Sequence, residues 1–249
     1  MYAVVLTALG VGGATVFGAV MGFIFRGLAL RHGGAILGFG AGVMLAASVL
    51  GLILPAVEHG GKYGTTVSII GIFAGAACLY LIERFLPHLH GAMDCTHTAT
   101  CRDVSRERVL LFVLAIALHN LPEGIAAGVG FGTGNMADAL LIAGGIALQN
   151  VPEGMVIIGP MLGAGFSPRK TFFYALFTGI IEVVGTFIGY FAVGLATAVL
   201  PFALAFAGGC MLYVISDEII PEMNEKGGVA PVFSLLAGFC LMLIFDAVL

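Results

Sequence analysis

The decapeptide Ala-Ile-Ala-Leu-His-Asn-Leu-Pro-Glu-Gly (115–124) returns thirty residues later as Gly-Ile-Ala-Leu-Gln-Asn-Val-Pro-Glu-Gly (145–154). Each copy sets a polar pair, a proline and a glutamate inside an apolar run long enough to cross a bilayer. A carboxylate at membrane depth costs roughly 2.5–3.5 kcal/mol on insertion scales, so such residues are rare and usually functional. A duplicated pair of them predicts a passage for something charged between two helices.

The surrounding chain has the composition of a membrane protein. Of its 249 residues, 60% are apolar and 10% charged, with a mean hydropathy of +1.10. A soluble domain carries about 25% charged residues, so this chain lacks the charge to cover a water-facing surface. Thirty-eight glycines and no tryptophan suit closely packed helices whose interfacial aromatics are Tyr and Phe. Met1 to Phe25 has no basic n-region and is long enough to span, so it reads as a first span rather than a cleaved signal. Of the five cysteines, Cys78, Cys210 and Cys240 lie in apolar segments and read as small hydrophobes.

At ~20 apolar residues per span, eight spans are expected: 2–25, 34–57, 65–86, 108–131, 136–161, 170–191, 200–222 and 230–249. The expected fold is all-α, a single transmembrane domain over 1–249 whose longest connector is 87–107. Cytoplasmic loops hold the excess of Lys and Arg. Arg26, Arg31, Arg84, Arg102, Arg106, Arg108, Arg169, Lys170 and Lys226 fall on one side, and only Lys62 on the other. Both termini are therefore expected outside and the 87–107 loop in the cytoplasm. A weaker repeat pairs Gly42-Val43-Met44-Leu45, Pro55 and Glu58 of the second span with Gly209-Cys210-Met211-Leu212, Pro221 and Glu222 of the seventh. Those two spans run in opposite directions, as do the fourth and fifth, which is the inverted-repeat plan of many secondary transporters.

Residues four apart share a helix face, so His119 stacks over Glu123 and Gln149 over Glu153. Asn120 and Asn150 lie about 100° further round. Pro122 and Pro152 free the carbonyls of Leu118 and Leu148 and are expected to kink their helices. Freed backbone at membrane depth is tolerated where it lines a cavity. Glu182, about twelve residues into the sixth span, adds a third acid, with no Lys or Arg at comparable depth. Uncompensated carboxylates in hydrocarbon need protons or a cation. With an imidazole beside them the donor set suits Zn²⁺, and also Cd²⁺, Fe²⁺ or Mn²⁺. A proton relay or cation channel using the same carboxylates is the rival. A membrane metalloprotease would want His-Glu-x-x-His, which the sequence lacks, so no enzymatic role is expected, nor any nucleic-acid partner.

The paired motif resembles that of the ZIP (ZRT/IRT-like) metal transporters, nearest their bacterial GufA-like branch. The resemblance extends to eight spans, external termini and a long cytoplasmic loop after the third span. It implies influx of divalent metal, chiefly zinc, across a plasma membrane by a homodimer. It also implies a binuclear site on the fourth, fifth and sixth spans, here His119, Asn120, Glu123, Gln149, Asn150, Glu153 and Glu182. Some members place an acid or histidine where this chain has Asn150 or Gln149, so a second ion is expected to be held more weakly. Met44 and Ser48 resemble residues lining the external approach, with Glu58 and His59 near its outer end. Asp217, Glu218 and Glu222 resemble the inner release path. In the cytoplasmic loop His88, His90, Asp94, Cys95, His97 and Cys101 form a tract that is expected, by composition, to collect metal leaving the pore.

Overall fold

The computed structural model describes residues 1–85, 106–195, 197–225 and 227–248. The chain forms α1 (Tyr2–Ile24), α2 (Arg26–Ala46), α3 (Leu54–His59), α4 (Gly64–Phe85), α5 (Arg106–Val129), α6 (Met136–Gly163), α7 (Pro168–Leu195), α8 (Leu200–Val214), α9 (Ile220–Asn224) and α10 (Ala230–Val248). A π-helical stretch, Ala47–Ile53, joins α2 to α3, and a second, Ile215–Ile219, joins α8 to α9. Each leads to a proline, Pro55 or Pro221. Proline clashes with the carbonyl four residues back, here that of Gly51 or Asp217, and the wider turn accommodates it.

Counted as continuous rods, the described residues give eight, at the expected places. The second begins at Arg26 rather than at 34. Arg26, Arg31 and His32 are all exposed, so the helix simply runs on beyond the apolar segment, broken in φ/ψ only at His32. Seven rods combine the length and apolarity of a membrane span over the described residues. The other, α5, opens on Arg106, Glu107 and Arg108 and carries the His119 motif, but its 24 residues suffice to cross at about 1.5 Å each. Phe73, Phe173, Phe177, Phe233 and Ile244 stand fully outward on α4, α7 and α10, a surface that only lipid would cover comfortably. The loop candidates His88, His90, Asp94, Cys95, His97 and Cys101, and Lys226, lie outside the described residues.

The rods sort into two groups of four. α1, α5, α6 and α7 pack together, as do α2–α3, α4, α8–α9 and α10; the groups meet where α2 lies on α6 and α5 on α8. The pairings mirror one another. α5 on α7 answers α6 on α1, and α4 on α8 answers α10 on α2. The close approaches repeat as well, with Gly42 against the Leu235 backbone and Gly209 against that of Ile72.

Candidate metal site

α5 and α6 form an antiparallel hairpin. Gly134 takes the left-handed turn at φ +75°, and Asn135 caps α6, its Oδ1 accepting from the Ala137 N–H at 3.0 Å. Asn135 lies fifteen residues from both Asn120 and Asn150. At about 1.5 Å per residue, the two motifs therefore sit at one depth, roughly 22 Å from the turn. Both helices continue through Pro122 and Pro152.

Each motif is bolted to an outer helix in the same manner. Asn120 Nδ2 donates to the Thr178 carbonyl of α7 at 3.4 Å, and Asn150 Nδ2 to the Val11 carbonyl of α1 at 3.2 Å. Gly124 lies on the Glu182 carbonyl and Gly154 on that of Thr15, where a Cβ would overlap the oxygen. Thr15 thus stands where the repeat places Glu182. The two touch: Thr15 Oγ1 donates to Glu182 Oε2 at 3.1 Å, and Asn150 Nδ2 also donates to Glu182 Oε1.

The donors on the inner face are otherwise unclaimed. Among the described residues, seven buried side-chain polar atoms find no hydrogen-bond partner, and six belong to the two motifs: Asn120 Oδ1, both Glu123 oxygens, Gln149 Oε1 and Nε2, and Asn150 Oδ1. Gln149 faces Glu123 without closing a bond of good geometry. An unpaired buried polar group costs about 1–3 kcal/mol, and more when charged. Glu153, half-buried, and Glu182 lie within electrostatic reach of Glu123. Such a cluster suits a cation arriving between α5 and α6.

His119 reaches a further acid while staying within electrostatic range of Glu153. Its Nε2 meets Glu218 Oε1 at 2.8 Å, joining α5 to the second π-helical stretch and so one group of four helices to the other. With His119 on Glu218 and Glu182 held by Asn150 and Thr15, no three His, Cys, Asp or Glu side chains among the described residues converge tightly enough to hold an ion together.

The remaining candidates are dispersed. Met44 is fully buried in apolar core that also contains Met211, and Ser48, also buried, donates to the Leu45 carbonyl at 2.9 Å. Glu58 and His59 are exposed at the end of α3, the His59 ring bonding the Pro55 carbonyl. Asp217 is exposed and accepts from Tyr213 Oη at 3.5 Å. Glu222 lines a cavity of about 150 Å³ with Leu30, Gly34, Val156, Pro160 and Glu225. Sequence reasoning missed Thr15. The signal was available: Gly12 and Thr15 have the same spacing as Gly179 and Glu182.

Residues 96–246 match the family described as ZIP zinc transporter. The zinc transporter ZIPB of Bordetella bronchiseptica is 36% identical over 256 residues, covering 100% of this chain and 81% of the relative. The zinc transporter GufA of Myxococcus xanthus is 36% identical over 255 residues, 99% of this chain and 98% of the relative. The human zinc transporter ZIP11 is 31% identical over 319 residues, 94% of this chain and 93% of the relative.

Proposed function

The chain belongs to the ZIP zinc transporter family, and on that footing we propose that it carries Zn²⁺ into the cytosol through a site at the α5–α6 hairpin. It is a multi-pass membrane transporter and not an enzyme. The ion is held by His119, Glu123, Gln149 and Glu153, while Asn120, Asn150 and Glu182 fasten the surrounding helices to one another. The supporting observation is the concentration of unpartnered buried oxygens and nitrogens on the two motifs. Imidazole with carboxylate suits zinc, and Cd²⁺, Fe²⁺ and Mn²⁺ are further cargo on the same donor set.

The proposed orientation has both termini outside and the 87–107 connector inside, in the plasma membrane, as a homodimer. In that frame the ion approaches past Glu58, His59, Ser48 and Met44, and leaves past Glu218, Asp217 and Glu222. In that orientation the Glu222 cavity lies toward the cytoplasmic end, and Met44 and Ser48 are buried, which supports release past Glu222. With Nε2 on Glu218, a carboxylate partner of the kind that orients a metal-binding imidazole, His119 links the ion site to the contact between the two helix groups. Ligands must be deprotonated to take metal, so external acid lowers uptake.

Uptake of radioactive zinc into proteoliposomes tests the site. Glu123→Ala combined with Glu153→Ala abolishes transport, and unaltered uptake refutes the assignment. Saturation at low metal concentration is expected of a carrier; single-channel currents would show a channel instead.

A further inference from the structure

Glu182 differs from the other central carboxylates in that both of its oxygens are claimed by protein donors, Oε1 by Asn150 Nδ2 and Oε2 by Thr15 Oγ1. All three side chains are fully buried. The Asn150 amide has one sensible orientation. Its Nδ2 faces two acceptors, the Val11 carbonyl and Glu182 Oε1, and turning it over would set oxygen against oxygen. A cation approaching Glu182 from the α6 side thus meets an N–H rather than an anion. Glu123 has the opposite environment, with no partner on either oxygen.

Resting on the transport site above, we infer that this chain holds one divalent ion at its centre and not two. Glu182 is a positioning residue that ties α1, α6 and α7 together through Thr15 and Asn150, and the ion lies on the Glu123 side. The repeat supports the assignment. It sets Thr15 opposite Glu182, so the pair of outer helices supplies a single acid here, and that acid is matched by neutral donors rather than by a second cation. A second ion beside Glu182 would have to share oxygens that already accept two hydrogen bonds, with the Asn150 N–H facing it on the α6 side. It would gain only an amide oxygen from Asn150, where an aspartate would offer charge.

Zinc bound per chain, measured by equilibrium dialysis and elemental analysis of the purified full-length protein in detergent, tests this. Glu182→Gln is expected to leave the count at the wild-type value. The new amide oxygen still accepts from Asn150, and its NH₂ donates to the Thr15 hydroxyl, so the network survives without the charge. Asn150→Asp is expected to bind one additional ion per chain and to acquire a zinc-dependent rise in melting temperature larger than that of the wild type. Adding Glu182→Gln to Asn150→Asp returns the count to the wild-type value. One ion fewer in Glu182→Gln, or no ion gained in Asn150→Asp, overturns the inference. If the Asn150→Asp chain does not purify, the Glu182→Gln count decides alone. The transport site itself is checked separately by Glu123→Gln with Glu153→Gln, which removes one ion. No change there sinks that site, whereas one ion lost there and another in Glu182→Gln sinks only the one-ion inference.

Discussion

In the α5 copy of the motif, Asn120 holds the Thr178 carbonyl of α7; in the α6 copy, Asn150 holds the Val11 carbonyl of α1. Gly124 and Gly154 press on equivalent carbonyls. Side chains at the matching positions then diverge. His119 crosses to Glu218 while Gln149 finds no partner. Glu123 is buried where Glu153 is half-buried. Asn120 serves one acceptor, and Asn150 serves a carboxylate as well. The repeat fixes where the backbones run, and a handful of unmatched side chains give the centre its polarity and direction.

Four experiments press on this comparison. The largest effect is expected from the acids: Glu123→Ala alone lowers zinc uptake by about 100-fold, the upper end for groups supporting a metal, and more than Glu153→Ala does. Equal losses would mean that the burial difference is irrelevant to transport. Next come the glycines. Gly124→Val and Gly154→Val each cost about 1–3 kcal/mol by overpacking, read as matched drops in melting temperature in detergent; a large imbalance would break the scaffold symmetry. His119→Gln makes the two copies alike. It should cut the preference for Zn²⁺ over Mn²⁺ by about tenfold in competition uptake, since imidazole favours zinc and the amide does not. The smallest effect is Asn120→Ala, about 0.5–1.5 kcal/mol for one hydrogen bond, and it should fall below that of Asn150→Ala, which also strips Glu182.

Most of the architecture was legible in the sequence because lipid imposes a simple rule: an apolar run must be long enough to cross. The rod ends at Gly64, Met136 and Leu200 follow from that rule and from charge. The α5–α6 hairpin was legible because the motif is duplicated about a Gly-Asn turn. The partners of those residues were not. Thr15 is 167 residues from Glu182, and only the shared spacing of Gly12–Thr15 and Gly179–Glu182 relates them, a match too short to stand out in an apolar helix. Likewise, Glu218 rather than the adjacent Asp217 meets His119, and it lies in the wide turn at Ile215–Ile219 where regular helical phase does not apply. Position along a regular helix could not have told them apart.

The two wide turns also let the corresponding halves differ in length. Ahead of them Met44 answers Met211, 167 residues on; behind them Pro55 answers Pro221, 166 on. A turn that closes one residue later than usual takes up an added amino acid locally, so the flanking segments keep their phase on both sides. A one-residue insertion or deletion elsewhere in these helices would rotate everything beyond it by about 100°. Here it is absorbed within a loosened coil.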